Sequence, residues 1–208
     1  MDLQFYITAA VTMFVIVDPI ALVPMFIALT QGMDDATRFS VARRASLIAV
    51  VLMTLFGLLG EGILRTIGIS MPAFRIAGGI LLFLTALDML FERRTQRREN
   101  QHPSSSDPSV FPLATPLIAG PGAFTTMILL VSAPGPSPAW SHVLAIHAIM
   151  AGVVFVSFLA FRLAGPIERA LGRTGIVVIT RLLGMLLASL SVQFVLDGVV
   201  GTGLVGRP

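Results

Sequence analysis

The sequence contains no cysteine. Disulfides, thiol nucleophiles and cysteine-based metal sites are therefore excluded. Lysine is absent too, so all fourteen basic residues are arginine. Charge of either sign is scarce, at 12% of the 208 residues, against roughly 25% in an ordinary soluble domain. Catalytic signatures are also missing: there is no G-x-S-x-G, no H-E-x-x-H and no P-loop. An intramembrane protease of the paired-aspartate kind needs two acids at depth, and Asp18 alone fits that description. Neither an enzymatic activity nor a cofactor is expected.

Apolar residues fill the space. They make up 55% of the chain, and the mean hydropathy is +0.90. A soluble protein of this size would have to expose far more apolar surface than water tolerates. A bilayer removes that conflict, and each spanning helix needs about 20 mostly apolar residues. Six such segments are visible, at 5–29, 41–64, 71–91, 111–132, 142–165 and 175–199. They are too long for barrel strands, and an unclosed strand cannot satisfy its backbone in lipid. An all-α membrane protein of six transmembrane helices is predicted. The start, Met1-Asp2, has no basic run before the first segment and reads as an uncleaved span.

Arginine sets the orientation. Arg38, Arg43 and Arg44 follow the first span, and Arg93, Arg94, Arg97 and Arg98 follow the third. Arg162, Arg169, Arg173 and Arg181 follow the fifth, leaving only Arg65, Arg75 and Arg207 for the other side. In a membrane protein this balance reports orientation rather than nucleic-acid binding, which is not expected here. The positive-inside rule puts the richer side in the cytoplasm and both termini outside. The stretch 92–110 is the one clear linker, charged and then Ser/Pro-rich. It divides the chain into 1–91 and 111–208, each with three spans. Its arginines serve as a topology anchor, with contact to anionic lipid as the alternative.

The two halves share features. The first span carries Asp18-Pro19-Ile20-Ala21-Leu22-Val23-Pro24 and the fourth Thr115-Pro116-Leu117-Ile118-Ala119-Gly120-Pro121-Gly122, with prolines five apart in both. Arg75-Ile76-Ala77-Gly78 in the third span matches Arg181-Leu182-Leu183-Gly184 in the sixth. Because each half has an odd number of spans, the second enters the membrane inverted. The pattern predicts an inverted-topology repeat of three-helix units.

Proline removes a backbone hydrogen bond and costs about 3 kcal/mol inside a helix. The first and fourth spans should therefore be discontinuous near 18–24 and 115–122. Asp18 and Thr115 suit the N-cap of a new half-helix, with Pro19 and Pro116 at its first position; Gly120-Pro121-Gly122 offers a second start. Helix N-termini bind carboxylates, and freed carbonyls accept from an ammonium, so a small zwitterionic substrate is predicted. The substrate-binding candidates are Asp18, Pro19, Ile20, Ala21, Thr115, Pro116, Ala119, Gly120, Pro121 and Gly122. Kinks used only for helix packing are the plainer alternative. Asp18 is a candidate for proton coupling, because an acid at depth costs about 2.5–3.5 kcal/mol unless it has a purpose. Asp88 and Asp197, near span ends, read as interfacial. Thr85, Ser189, Ser191 and Gln193 read as helix-to-helix hydrogen-bonding groups. His142 and His147, five apart, do not share a helix face, and no metal site is expected.

At Asp18-Pro19-Ile20 with Pro24, Pro72-Ala73-Phe74-Arg75-Ile76-Ala77-Gly78-Gly79, Pro116-Leu117-Ile118-Ala119-Gly120-Pro121-Gly122, Gln193-Phe194 and Asp197-Gly198, the sequence resembles the MarC-type family, which includes neutral amino acid transporters of the SnatA type. The likeness covers nearly the whole chain. It implies a cytoplasmic (inner) membrane location, two inverted halves, and transport of small neutral amino acids such as glycine and alanine. It also implies that the broken parts of the first and fourth spans hold the substrate. Ala21-Leu22 depart from the Gly-Asn that many members carry there, which leaves the substrate within that class open. A non-transporting partner or regulatory protein, in line with the family's antibiotic-resistance label, is the alternative. Transport direction, coupling ion and oligomeric state are not encoded legibly.

Overall fold

The computed structural model describes residues 3–91, 107–133 and 139–203. Most of the predicted linker, 92–106, lies outside the described residues. Among the described residues the chain is helical, without strands. Four helices are long and apolar enough to cross a bilayer: α3 (Asp35–Ile67), α4 (Met71–Leu90), α7 (Ala139–Arg162) and α8 (Ala164–Gly201). Two bent pairs bring the number to six. They are α1 (Leu3–Val17) with α2 (Leu22–Leu29), bent by 40°, and α5 (Ser109–Ile118) with α6 (Pro121–Val131), bent by 55°. The first and fourth spans are thus the discontinuous ones, as their prolines predict.

Local chemistry sets the ends of the straight helices. The Asp34 side chain accepts from the Thr37 amide at 3.1 Å and starts α3. Gly68, in the left-handed region at φ 83°, ends it. Ser70 caps α4 by accepting from the Ala73 amide, with Pro72 in the first turn. Gly172, at φ 60°, breaks α8 into a short leading segment and a long span. Only 22% of the most apolar stretch of α3 is buried inside the protein. Its apolar surface faces outward, which lipid permits and water does not.

Contacts between spans interlace the halves. The α1–α2 span packs against α7 and α8, and the α5–α6 span packs against α3 and α4. Each broken span therefore sits against the two straight helices of the opposite half. Equivalent spans also meet each other: α1 touches α6, α3 touches α7, and α4 touches α8.

The α4–α8 seam is the most extensive of these contacts and runs antiparallel. Gly198 lies at Pro72 and Ile76, Gly79 at Ser191 and Val195, and Gly184 at Ala86 and Met89. A Cβ on Gly79 would sit 2.8 Å from the Ser191 carbonyl oxygen, and one on Gly198 would sit 3.0 Å from the Ile76 nitrogen. Small residues let the two backbones come together, which is how membrane helices gain contact without a hydrophobic drive.

Described arginines of the first and fifth connections meet at one end of the bundle. Arg162, at the end of α7, lies 4.9 Å over the Phe39 ring of α3. Arg44 of α3 pairs with Asp107 at 2.9 Å. Asp107 also accepts from the Ser109 amide and hydroxyl. The Ser109 hydroxyl and then its amide hold the Asp107 carboxyl below the usual carboxylate range; burial opposes them, and the Arg44 charge adds the smallest contribution. At the opposite end, Tyr6 of α1 meets His142 of α7, and Gly201 of α8 meets Pro72 of α4.

Candidate functional site

The two breaks are built differently. In the first span α1 ends at Val17 and the chain turns at Asp18, whose φ of 51° is the one positive value among described non-glycine residues. The left-handed region costs most L-residues about 1–2 kcal/mol, and Asp tolerates it better than most. The Asp18 Oδ1 accepts from the Ala21 amide at 3.2 Å, and the Asp18 carbonyl accepts from the Leu22 amide at 3.3 Å. The expected N-cap role of Asp18 is therefore corrected: α2 starts at Leu22 with Ala21 as its N-cap, and the Asp18 bonds close the turn through Pro19 that leads into it. Asp18 is fully buried, as is Pro19, while Ile20 and Ala21 are half-buried.

In the fourth span α5 is a wide, irregular helix. It is closed by bonds five residues apart, from the Leu113 amide to the Pro108 carbonyl and from the Ala119 amide to the Ala114 carbonyl. Thr115 has extended backbone, at φ −132° and ψ 126°, inside this segment. The expected helix start at Thr115-Pro116 is therefore corrected: the regular half-helix α6 begins with Gly120 as N-cap and Pro121 at its first position. Geometry decides between the two. A Cβ on Gly120 would lie 2.6 Å from the Pro116 carbonyl oxygen, so only glycine allows the chain to fold back there. The residue before Pro121 must also be extended, and Gly120 is, at ψ 174°.

This return opens a cavity of about 130 Å³ at the start of α6. Pro116, Gly120, Pro121 and Gly122 line it from the fourth span, Ile16 from α1, and Thr85 and Asp88 from α4. Four of the ten predicted substrate-binding residues thus come together. Ala119 is buried beside them, and Thr115 is half-buried in the irregular turn. Asp18, Pro19, Ile20 and Ala21 do not line the cavity; the first span reaches it one turn earlier, through Ile16. A Cβ on Gly122 would come within 3.6 Å of the Ile16 side chain and 3.9 Å of the Thr85 hydroxyl. Any larger residue there would occupy the cavity.

Asp88 lines the cavity although it was not among the ten predicted residues. Its place near the end of the third span suggested the interface, and it is half-buried. The three-residue step from Thr85 to Asp88 was the available signal, because residues three apart share a helix face. The Thr85 hydroxyl donates to the Leu81 carbonyl at 3.0 Å, leaving its lone pairs for a ligand.

The cavity is lined by polar groups of two kinds. The amides of the first turn of α6, from Gly122 and Ala123, have no acceptor within the helix. They give the lining a partial positive charge. The Asp88 carboxyl and the Thr85 hydroxyl add acceptors to it. Drug-sized pockets run to about 300–1,000 Å³, so this one suits a much smaller molecule.

The remaining polar residues are used locally. Ser189 and Ser191 donate to carbonyls of their own helix, and Gln193 donates to Asp197 at 2.8 Å on an exposed face. The His142 Nε2 lies 2.9 Å from the Leu130 carbonyl, and the His147 Nδ1 lies 2.8 Å from the Val143 carbonyl. Among the described residues no cluster of three metal-ligating side chains occurs.

Six apolar spans, two of them broken, and a small polar cavity at a half-helix start define a multi-pass integral membrane protein with a ligand-sized internal site. The chain belongs to the MarC family of integral membrane proteins, whose model matches residues 3–202. It is similar to a UPF0056 membrane protein of Methanocaldococcus jannaschii, 37% identical over 97% of this chain and 98% of that one. It is also similar to the UPF0056 membrane protein YvbG of Bacillus subtilis, 33% identical over 99% and 97%. No solved structure matches.

Proposed function

We propose that the protein is a secondary transporter of small neutral amino acids, glycine and alanine among them. In this reading it works by alternating access in the cytoplasmic membrane, with both termini outside and the 92–110 connection in the cytoplasm. The observation that carries the reading is the cavity at the start of α6, lined both by the first turn of that helix and by Asp88 with Thr85. A carboxylate suits the amides and an ammonium suits the acid. The small volume and the glycines admit a substrate with little or no side chain.

The interlaced contacts support two inverted halves. Exchanging the first three spans for the last three turns the packing of α2 on α7 and α8 into that of α6 on α3 and α4. Inverted repeats with sites at broken helices are the architecture of several secondary transporters. A break sealed by apolar side chains would have favoured the partner or regulatory reading; the polar wall weighs against it.

Labelled-alanine counterflow in proteoliposomes tests the proposal. Wild type should exchange alanine, and Gly120→Leu should lose at least nine-tenths of the rate, because its side chain meets the Pro116 carbonyl. No exchange of any neutral amino acid by folded wild-type protein would defeat the reading. Proton coupling through Asp18 is the second part of it. Asp18→Asn keeps an oxygen for the Ala21 amide, so it should fold normally and lose pH-driven uptake while retaining counterflow. Unchanged pH-driven flux in that variant would remove Asp18 from coupling.

A further inference from the structure

A second cavity, of about 210 Å³, lies at the arginine-rich end, between the start of α3 and the junction of α7 with α8. Arg38, Arg162 and Asp35 line it, over a floor that includes Phe26, Phe39 and Phe161. The floor is ordered: Phe26 and Phe161 stack at 4.6 Å. Both guanidinium groups lie over its rings, Arg38 at 5.7 Å from the Phe26 centroid and Arg162 at 4.9 Å from that of Phe39. A guanidinium held by its face keeps its in-plane N–H donors for a ligand.

Charges of opposite sign share this cavity without neutralising each other. Asp35 and Arg38 are three residues apart on one helix, a spacing that favours pairing. Yet among the described residues neither arginine has a carboxylate within 4.0 Å. Two guanidiniums suit the oxygens of a phosphoryl group, and one carboxylate beside them suits an ammonium. The lining residue Phe39 is exposed, as is Leu163, the chain neighbour of the lining Arg162.

We infer that this cavity binds the headgroup of an amine-bearing phospholipid of the phosphoethanolamine type. Arg38 and Arg162 take the phosphate, and Asp35 takes the amine. The acyl chains run out past Phe39 and Leu163. Anionic lipid alone would leave Asp35 facing like charge, so the acid makes the site selective for a zwitterionic headgroup.

Native mass spectrometry of delipidated full-length protein, titrated with phosphatidylethanolamine, phosphatidylglycerol or inorganic phosphate, tests this. Wild type should retain phosphatidylethanolamine at least fivefold better than phosphatidylglycerol. Inorganic phosphate at millimolar concentration should not displace it. The Arg38→Gln/Arg162→Gln double variant should weaken binding of the ethanolamine lipid at least tenfold. Asp35→Asn should abolish the preference while still binding phosphatidylglycerol, a gain that misfolding cannot mimic. Preference for phosphatidylglycerol in wild type, displacement by free phosphate, or unchanged binding in the double variant would each overturn the assignment.

Discussion

Asp88→Asn is expected to lower alanine counterflow about 100-fold while leaving the protein monodisperse and folded. The substitution keeps size and shape but removes the acid from the cavity lining. Truncating one partner of a buried, charge-assisted pair costs about 2–5 kcal/mol, and 1.4 kcal/mol is tenfold in affinity. A loss near 3 kcal/mol therefore corresponds to about 100-fold. The effect should appear chiefly as a raised half-saturation concentration, because the ammonium is bound before the protein changes conformation. Counterflow measured over a range of alanine concentrations separates this from a slowed conformational step. An Asp88→Asn protein that exchanges alanine at wild-type affinity would mean that the ammonium binds elsewhere.

Gly198→Leu should destabilise the protein more than any substitution in the cavity. A Cβ at 198 would lie 3.0 Å from both the Ile76 nitrogen and the Pro72 carbonyl oxygen, which are backbone atoms and cannot rotate away. Overfilling a close-packed contact costs about 1–3 kcal/mol, and more where backbone must move. For a chain of this size about 3 kcal/mol lowers the melting temperature by roughly 6–12 °C. Gly62 of α3 is the control, since nothing lies within 4 Å of its would-be Cβ. Thermal unfolding in detergent should leave Gly62→Leu near wild type and shift Gly198→Leu strongly. Equal midpoints for the two variants would show that close approach at the α4–α8 seam contributes little.

The spans were legible because lipid imposes a length and an apolar composition that soluble folds do not. The breaks were legible because proline acts locally: Pro19 and Pro24, like Pro116 and Pro121, cannot share a regular helix. Which proline starts the new half-helix was not, since Pro116 and Pro121 obey the same local rule. The choice rests on Gly120 folding against the Pro116 carbonyl, a contact made through space. Asp88 was missed for a related reason. Distance along a span gives depth in the membrane but not the direction a side chain faces, and the cavity lies to one side of α4. Asp18 fell between these cases. Its place at the break is local and was predicted, but its bond to Ala21 closes the turn before α2 instead of capping α2, and its position off the cavity depends on how α1 leans against α6.

The interlacing of the halves also has a bearing on biosynthesis. Gly79 and its partners Ser191 and Val195 lie more than a hundred residues apart in the chain. At about 5–20 residues per second, α4 enters the bilayer on the order of ten seconds before α8 exists to cover it. During that interval the broken span of the N-terminal half also lacks most of its native neighbours, because these belong chiefly to α7 and α8. The first three spans should therefore wait as a loosely associated group, open to lipid and to membrane chaperones. Nascent chains arrested before α8 should accordingly be the most protease-sensitive and short-lived species on the way to the finished protein.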